Sequence, residues 1–395
     1  MKILVVNSFF SPHGLGGAER SVAVLCEELV TRGCDVHVLC TGPVSVVETV
    51  GGVVVNRLGN INTFWLGHRE HKGRLRKAIW HLWDIFNPLV FFRTIFLLIK
   101  LRPDVIHTNN LTGLSIAVWI AGKVTGTPVV HTLRDYYLQC LSSNKVGCGV
   151  TCDVIKRPHR YLSKFVGTVV GNSEFVLNSH INAGYFSRSS REVVFNGYDG
   201  GVQCSDKPAT SSKDLGGWTF GYLGSLTPDK GVYSLCETIN RIAGEYPEIK
   251  LLVAGSGDAA FVEKLRRDFE SDSVIFVGYV EPHDFYTEVD WVVVSSVWDE
   301  PLARVCFEPK FFGVPVIAAN RGGNPEAITH GVNGFLYDPG DPESLIAAIL
   351  VALKSNYSEL ASHAFLDRKR FEVERLGDRY LQIYSDLICD KVRGA

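Results

Sequence analysis

Short β-branched runs alternate with amphipathic helical segments along the whole sequence, and this alternation constrains the fold more than any other feature. Seven such runs occur in the first half, from Lys2–Asn7 to Glu192–Asn196, and six in the second, from Trp218–Leu223 to Gly334–Leu336. Strands that alternate with helices predict βαβ units and parallel sheets. Because 395 residues exceed what one hydrophobic core usually holds, we expect an α/β protein with two Rossmann-like, doubly wound parallel-sheet domains.

The domain boundary is predicted from composition. Residues 201–216 are rich in Ser, Lys, Asp and Thr and lack periodicity, which is typical of a linker. We therefore predict an N-terminal domain over 1–200 and a C-terminal domain over 217–371. Residues 372–395 form a last amphipathic helix that needs a packing partner, and the N-terminal domain is the candidate. Ligands of such sheets bind beyond the carboxyl ends of the strands, which predicts a site in a cleft between the domains.

Charge is distributed unevenly between the two halves. Residues 1–200 have 21 Lys and Arg against 13 Asp and Glu, whereas 201–395 have 19 against 29. A basic half indicates an anionic partner or surface, but the excess is too dispersed for nucleic-acid binding.

Ten cysteines with no export signal ahead of them predict reduced thiols in the cytoplasm. We expect no apolar run of the ~18 residues that a membrane span needs; the nearest, Pro88–Ile99, is too short.

A glycine-rich loop follows the first strand. Gly14, Gly16 and Gly17 precede a helix, where free backbone N–H groups favour an anion such as phosphate; a merely flexible turn is the alternative. The spacing is not G-x-G-x-x-G, which disfavours an NAD oxidoreductase.

The second half has a more specific pattern. Lys230 opens a helix after a strand, in a position to contact phosphate oxygens, and Glu300 and Glu308 stand eight residues apart after another strand. Carboxylates at a cleft accept hydrogen bonds from sugar hydroxyls. An exposed lysine and two exposed helix glutamates are the alternative for these segments.

Eleven segments together resemble a known family. The chain is similar to the retaining glycosyltransferases of the group 1, family 4 type, which have the two-domain GT-B architecture. The matching segments, in order over residues 1 to 345, are GGAER, PDVIHTNN, TPVVHTLRDYY, VGNSEFV, VVFNGYD, YLGSLTPDKG, VAGSGD, FVGYV, DEPLARVCFE, GVPVIAANRGGNPE and GVNGFLYDPGD.

The resemblance implies a nucleotide-sugar donor, UDP- or GDP-linked, and no catalytic metal. It places Glu308 at the donor ribose, Glu300 beside the transferred sugar as a catalytic group, and Lys230 at the diphosphate, with Gly16 and Gly17 lining the phosphate from the other domain. The base is expected beside Phe276 to Tyr279. The remaining donor-binding positions that it implies are Ser225, Gly255, Gly278, Tyr279, Leu302, Ala303, Arg304 and Val305.

Two positions depart from the family's pattern. Ser225 stands where relatives commonly have Arg, and Ser cannot provide bidentate contact to a diphosphate. Three alternatives follow. Lys230 and helix amides are enough to bind the diphosphate, Arg304 compensates for the missing Arg, or catalysis is weakened. Arg134 stands where many relatives have a second His, and with Asp135 and Tyr136 it is assigned to the acceptor side.

Three further groups of residues have two interpretations each. His107 and His131 at predicted strand ends are candidate catalytic groups facing the cleft, or core histidines. Cys140, Cys148, Cys152 and His159 lack zinc spacing, so free thiols are favoured over a metal site. Residues 68–102 hold eight Lys or Arg against two acidic residues, interleaved with aromatics; this is typical of an anionic membrane surface at the inner face, or of helices packed on the sheet.

The sequence therefore predicts a retaining glycosyltransferase that transfers a sugar to a glycan or lipid-linked acceptor, in polysaccharide or glycolipid biosynthesis. A non-catalytic sugar-nucleotide-binding subunit and a nucleotide-sugar epimerase are the alternatives. Nucleic acid is not an expected partner.

Overall fold

The computed structural model describes residues 1–14, 16–59, 61–67, 73–141, 143–144, 149–198, 200 and 217–393. The predicted linker, residues 201–216, lies outside the described residues. The chain divides into two compact units: unit one comprises Met1–Tyr198 with Phe371–Ala395, and unit two comprises Asp199–Arg370.

Unit one is built on an eight-stranded sheet. The order is β3-β4-β2-β1-β5-β6-β7-β8, and β3 is antiparallel to β4 while the other neighbours are parallel. The strands are β1 Lys2–Val6, β2 Asp35–Thr41, β3 Val46–Val50, β4 Val53–Leu58, β5 Val105–Thr108, β6 Val129–Leu133, β7 Thr168–Gly171 and β8 Ser190–Val193. The helices that accompany it are α1 Gly17–Thr31, α2 Arg74–Ile85, α3 Pro88–Leu101, α4 Ala117–Thr125, α5 Val150–Ile155, α6 Arg157–Leu162 and α7 Glu174–Asn182.

Unit two is built on a six-stranded parallel sheet of order β11-β10-β9-β12-β13-β14. Its strands are β9 Trp218–Leu223, β10 Ile249–Ala254, β11 Val274–Gly278, β12 Trp291–Val294, β13 Val316–Ala319 and β14 Gly334–Tyr337. Its helices are α8 Val232–Ala243, α9 Ala259–Phe269, α10 Pro282–Thr287, α11 Pro342–Lys354 and α12 Tyr357–Asp367. The predicted α/β class with two parallel-sheet domains is confirmed.

The last helix, α13 Val373–Arg393, belongs to unit one. Tyr380 and Tyr384 are fully buried in the core that α1 and the sheet share, and Arg32 pairs with Asp378 on the outside. Its amphipathic pattern is therefore explained by burial of one face in this core.

The segment around α2 and α3 exposes many apolar side chains. By length and composition, Leu75–Leu101 is the stretch of the described residues that could cross a membrane. Its most apolar window of 18 residues has a mean hydropathy of 1.6, and 28% of that window is buried. The expectation that no run reaches this length is therefore wrong. The backbone is nevertheless extended at Phe86 and Asn87, and the Asn87 side chain caps α3 by accepting from the backbone N–H of Leu89 and Val90.

Candidate functional site

In unit two, the motif residues converge where the strand order reverses. Strands β9 and β12 are neighbours in the sheet, although β10 and β11 lie between them in the sequence. Ligands of open α/β sheets bind beyond the carboxyl ends of the strands at such a switch point. The loop after β9 contains Lys230, and the segment after β12 contains Glu300 and Glu308.

Lys230 and Glu300 form an ion pair at this edge. Lys230 Nζ lies 2.8 Å from Glu300 Oε1, with the lysine side chain 26% exposed and the glutamate 8% exposed. The Ser296 hydroxyl donates to the same carboxylate oxygen, and Lys230 Nζ also lies 5.4 Å from the centre of the Trp298 ring. The sequence alternative of two solvated surface side chains therefore does not hold for this pair, and the ammonium group keeps a face open to solvent.

Glu308 lies deeper and has both carboxylate oxygens bonded. Arg304 Nε donates to Oε1 at 2.5 Å, and the Tyr286 hydroxyl donates to Oε2 at 2.8 Å. Only 3% of Glu308 is exposed. A carboxylate oxygen accepts more than one hydrogen bond, so ligand hydroxyls can add to this arrangement. The pair with Arg304 also fixes the guanidinium beside the site.

Two glycines allow the loops of this edge to approach each other. Gly231 has φ +67°, and a Cβ there would lie 1.9 Å from the Ser295 carbonyl oxygen. Gly322 has φ +58°, and a Cβ there would lie 2.1 Å from the carbonyl oxygen of Glu300. Any other residue at either position would displace the segments that hold Lys230 and Glu300.

The other predicted donor-binding residues of unit two lie in the same set of loops or in those of neighbouring strands. Ser225 is exposed, and its carbonyl oxygen accepts from the Tyr222 hydroxyl at 2.8 Å. Gly255 N donates to Gly278 O at 2.7 Å, which joins the loops after β10 and β11. Tyr279 is 64% exposed.

The segment predicted to offer backbone amides is partly occupied by protein contacts. Leu302 and Ala303 are buried, Val305 is half-buried, and Ala303 N donates to the Asn324 side chain at 3.3 Å. Asn324 lies in the matching segment GVPVIAANRGGNPE, but the sequence alone assigns it no role.

In unit one, the strand order reverses between β1 and β5. Gly16 and Gly17, at the start of α1, are exposed in the segment that follows β1. The ends of β1 and β5 are tied together, because Ser8 Oγ donates to Asn110 Oδ1 at 2.7 Å and Asn110 N donates to Asn7 Oδ1 at 3.1 Å. This is the edge at which the fold positions ligands.

Arg134 and Asp135 extend this network from the end of β6. Arg134 Nε donates to Asn109 Oδ1 at 2.8 Å, and its Nη1 donates to Asn196 Oδ1. Asp135 accepts from the Tyr137 backbone N–H at 2.9 Å and from the Asn110 amide. Burial raises the pKa of Asp135 to about 6. The structure thus brings Arg134 and Asp135 together with side chains of two other loops, those after β5 and β8.

Tyr136, the third residue predicted on the acceptor side, is buried. It is 1% exposed, and its ring stacks on His180 with centroids 5.9 Å apart. It supports the loop from beneath.

His107 and His131 are core residues in the structure. His107 is fully buried, with Nε2 2.7 Å from Thr132 Oγ1 and Nδ1 2.7 Å from the Tyr384 hydroxyl. His131 is 3% exposed, with Nδ1 2.9 Å from Thr108 Oγ1. Burial lowers the pKa of His131 to about 3 and lowers the pKa of His107 well below its usual value. The core alternative therefore describes both rings, and the expectation that they face a cleft is wrong.

Within the described residues, no three His, Cys, Asp or Glu side chains are grouped to hold a metal ion. Cys152 is a free thiol, but Cys140 is disulfide-bonded, so the expectation of a free thiol at Cys140 is wrong. Cys148 lies outside the described residues.

The sequence did not assign several residues that the structure places at these edges. All but Tyr286, which lies within α10, have a polar side chain one or two residues after a strand or inside a segment that matches the family. They are Glu19, Asn109, Asn110, Asn196, Tyr286, Ser296 and Asn324.

Comparison with known proteins agrees with this arrangement. A family model described as "Glycosyltransferase Family 4" matches residues 15–200, and one described as "Glycosyl transferases group 1" matches residues 205–365. The chain belongs to the group 1 glycosyltransferase family. It is accordingly a transferase enzyme of that family.

Two curated relatives cover most of this glycosyltransferase. An uncharacterized 42.6 kDa protein in the cps region of Klebsiella pneumoniae is 30% identical over 98% of this chain and 100% of its own length. An uncharacterized glycosyltransferase of Methanocaldococcus jannaschii is 27% identical over 87% of each chain.

Solved structures share the fold. The crystal structure of Anabaena HepE in complex with UDP has a TM-score of 0.74 at 22% identity and covers 98% of this glycosyltransferase and 100% of that chain. Sucrose-phosphate synthase from Thermosynechococcus elongatus has a TM-score of 0.76 at 18% identity and covers 98% and 99%. The predicted GT-B architecture is confirmed.

Proposed function

We propose that this glycosyltransferase moves a sugar from a UDP- or GDP-linked donor to a hydroxyl of a glycan or lipid-linked acceptor, with retention at the anomeric carbon. The observation that carries the proposal is the Lys230–Glu300 pair at the switch point of unit two. A partly exposed ammonium group suits a diphosphate, and an adjacent carboxylate suits the hydroxyls of the transferred sugar.

The donor site would work through electrostatic stabilisation of the leaving diphosphate. Lys230 would exchange Glu300 for phosphate oxygens, and Glu300 would keep its bond from Ser296. Arg304, which Glu308 holds in place, would supply the guanidinium that Ser225 lacks. Glu308 would accept from the ribose hydroxyls. Stabilisation of developing charge in this way is usually the largest single catalytic effect.

Unit one would bind the acceptor through Arg134 and Asp135. Two buried side-chain atoms of the same edge, Asn109 Nδ2 and Asn172 Oδ1, have no hydrogen-bond partner within the described part of the chain. A buried donor and a buried acceptor without partners are costly, so a ligand hydroxyl would compensate both. Gly16 and Gly17, exposed at the start of α1, would offer backbone N–H groups to a phosphate, and His107 and His131 would act only as core residues.

Relatives support a role in polysaccharide biosynthesis. One relative is named for the cps region of Klebsiella pneumoniae, and a shorter match, 30% identical over 33% of this chain, is a lipopolysaccharide 1,2-N-acetylglucosaminetransferase of Salmonella typhimurium. Anabaena HepE has been solved with UDP-glucose, which favours a UDP-linked donor.

The proposal is tested with the purified full chain. Thermal shift against UDP, GDP, ADP and their sugars should identify one nucleotide, because a ligand at about 100 Kd stabilises the folded state by about 2.7 kcal/mol. The matching nucleotide sugar should then be consumed, and the product's anomeric configuration, read by NMR, should equal that of the donor. A chain that neither binds nor consumes any of these donors would contradict the proposal, and an inverted product would contradict retention.

We also place this enzyme at an anionic membrane surface, at the cytoplasmic face. Helices α2 and α3 bury one face in unit one and expose an apolar stripe on the other, formed by Leu75, Ile79, Leu82, Phe86, Leu89, Phe92, Phe96 and Ile99. Phe92 and Phe96 are 67% and 71% exposed. Arg76, Lys77, Arg93, Lys100 and Arg102 belong to the same segment. Apolar side chains flanked by basic ones are typical of helices that lie in a membrane interface. Residues 68–72 of the predicted segment lie outside the described residues.

Liposome sedimentation tests this placement. Phe92→Ser with Phe96→Ser should reduce binding to vesicles of phosphatidylglycerol and phosphatidylethanolamine at least tenfold, because each buried aromatic side chain contributes about 1.5 to 3 kcal/mol. Leu366→Ser, at a 58% exposed apolar residue of unit two, is the matched control and should bind like the parent. Equal binding by the double variant, or no binding by the parent at low salt, would contradict the membrane placement.

A further inference from the structure

A pocket lies at the carboxyl edge of the unit one sheet, and none of the residues assigned above to donor or acceptor binding lines it. Its volume is about 320 Å³, within the range of roughly 300 to 1,000 Å³ typical of small-molecule sites. Residues at the ends of β2 and β4 and after β5 contribute to it, namely Thr41, Leu58, Thr112 and Gly113. It therefore lies on the side of the β1–β5 switch point opposite to β6, where Arg134 and Asp135 lie.

Three aromatic side chains line this pocket: Phe64, Trp65 and Trp80. Both indole nitrogens are anchored to the protein, because Trp65 Nε1 donates to Thr41 Oγ1 at 3.0 Å and Trp80 Nε1 donates to the Phe64 carbonyl oxygen at 3.1 Å. The rings of Phe64 and Trp80 are 5.9 Å apart. These bonds hold the rings in place before any ligand binds, which lowers the entropic cost of binding.

Polar groups complete the lining without negative charge. Asn62, Thr63 and Thr112 are among the lining residues, and the Thr112 hydroxyl oxygen is buried without a hydrogen-bond partner within the described chain. Arg76 is the charged residue among those described in the lining, and none of them is acidic. Its guanidinium donates to the Thr63 carbonyl oxygen at 2.6 Å, which fixes a positive charge at the rim.

Aromatic walls with a few fixed polar groups match the chemistry of a pyranose ring. One face of such a ring presents C–H groups that pack on an aromatic face, while its edge presents hydroxyls that need polar partners. No described lining residue is acidic and Arg76 is basic, which favours a neutral or acidic sugar over an amino sugar with a free ammonium group.

Helix α2 contributes both to the pocket and to the exposed apolar stripe. Arg76 and Trp80, four residues apart, line the pocket from one face of α2, while Leu75, Ile79 and Leu82 are exposed on another face. Trp65 packs on His13, with ring centroids 5.1 Å apart, so the pocket adjoins the segment between β1 and α1. A ligand in this pocket would lie between the membrane-facing helix and that segment.

We infer that this pocket binds a neutral or acidic sugar residue of the acceptor, by packing of the pyranose ring on Trp65 and Trp80. That the ligand is part of the acceptor rests on the proposed function. That the pocket binds a sugar does not depend on the donor. The pocket would recognise the acceptor sugar residue that neighbours the one receiving the transferred sugar, and it would hold this neighbouring residue beside α2.

Saturation-transfer NMR with the full chain tests the inference. The probes are the methyl glycosides of glucose, galactose, mannose, N-acetylglucosamine and glucuronic acid. At least one should receive saturation from the parent, and the affinity for it should fall at least tenfold in Trp65→Ala while Trp65→Phe stays within about threefold, because Phe keeps an aromatic face. Tyr161→Ala, at a 66% exposed aromatic residue of unit one outside the pocket, is the matched control and should bind like the parent. Lys230→Ala should also bind the sugar like the parent, which distinguishes this pocket from the donor site.

Two results would overturn the inference: no probe binds the parent, or Trp65→Ala binds the probe as the parent does. Calorimetry with UDP-glucose and GDP-mannose on parent and Trp65→Ala separates this result from the proposed function. Donor binding without Trp65-dependent sugar binding leaves the proposed function and removes the pocket. Trp65-dependent sugar binding without binding of any donor leaves the pocket as a carbohydrate site and removes the proposed function.

Discussion

The switch-point edges of the two units differ in how they hold charge. In unit two, each cation has a carboxylate partner, Lys230 with Glu300 and Arg304 with Glu308. In unit one, Arg134 donates to the amide oxygens of asparagines, and Asp135 accepts from neutral N–H groups. An edge of paired charges can exchange a carboxylate for a phosphate without leaving a cation unpaired. An edge rich in asparagine amides suits hydroxyls, whose orientation must be fixed. This difference supports our proposal that unit two binds the charged part of the donor and that unit one binds the hydroxyls of the acceptor.

The largest expected effect comes from removing the more exposed cation of unit two. Lys230→Ala should lower the rate of transfer roughly 10²- to 10³-fold, because a charge-assisted contact to a developing phosphate anion is lost. The measurement is product formation with one donor and one acceptor. Ser225→Arg in this background should restore part of the rate, since it supplies a guanidinium where the family commonly has one.

The control for Lys230 is Lys264→Ala, which removes a surface lysine that pairs with Asp268 in the same unit. It should transfer at the parent's rate, because an exposed ion pair contributes little to stability. Parent-like transfer by Lys230→Ala would show that backbone amides alone hold the diphosphate.

Glu308→Ala should weaken donor binding by about 1.5 to 3 kcal/mol, through loss of a charged hydrogen-bond acceptor. Calorimetry with the nucleotide sugar measures it. The substitution also leaves buried Arg304 without its carboxylate, so the thermal unfolding of this variant should begin earlier than that of the parent. Glu308→Gln, which keeps an oxygen for Tyr286 or Arg304, should fold better and still bind the donor less tightly. Donor affinity equal to the parent in both variants would remove Glu308 from the ribose site.

Acid should destabilise unit one. Burial lowers the pKa of His131 to about 3 and lowers those of His107 and His159 well below the usual value, so these rings stay neutral in the folded state. In the unfolded chain a histidine takes up a proton as the pH falls below about 6.5, whereas the buried rings do not. Each ring therefore costs on the order of 1 kcal/mol of stability between pH 7 and 5.5. Asp84 and Asp135, whose folded pKa is raised to about 6, offset part of this by taking up protons. The net expectation is a loss of about 2 kcal/mol.

Hydrogen exchange separates the two units in this test. In unit two, burial raises the pKa of groups such as Tyr222 and Cys306, which therefore remain protonated throughout this range. After correction for intrinsic exchange, peptides over β5 and β6 should lose protection between pH 7 and 5.5, while peptides over β9 and β12 should keep it. Equal loss in both units would contradict the burial of neutral histidines as the cause.

Glu300→Gln has the smallest expected effect. It should lower kcat about tenfold, or about 1.4 kcal/mol, and leave the donor Kd within a few-fold, because the carboxylate orients the sugar and Lys230 rather than adding affinity. Single-turnover kinetics at saturating donor measure it. An unchanged kcat would make the carboxylate a structural partner of Lys230 only.

The sequence predicted the parallel sheets because each strand is a buried β-branched run between polar residues. Strand β3, Val46–Val50, was missed: its side chains are largely exposed, so it lacks the apolar run that the other strands have. The run Glu192–Asn196 was placed too late, since the strand is Ser190–Val193 and its side chains are not buried. Edge strands carry little of the hydrophobic pattern on which such predictions depend.

The site of unit two was predictable and that of unit one only in part, for a geometric reason. The sequence places His107 and His131 at predicted strand ends, but β5 and β6 continue to Thr108 and Leu133. The extension moves both rings from strand ends into strand interiors, where they pack in the core. The residues after the true ends, Asn109 and Arg134, form the polar edge instead. Partners such as Tyr286 for Glu308 come from distant elements, and sequence spacing contains no information on them.

The central claim is that the donor nucleotide binds at the switch point of unit two through Lys230. Hydrogen exchange of the full chain with and without saturating UDP or GDP, whichever binds, tests it most directly. Protection should appear in peptides over residues 224–232 and 295–309, and it should be strongly reduced in Lys230→Ala at the same nucleotide concentration. Protection confined to residues 109–136 of unit one, or unchanged protection of unit two in Lys230→Ala, would contradict the claim.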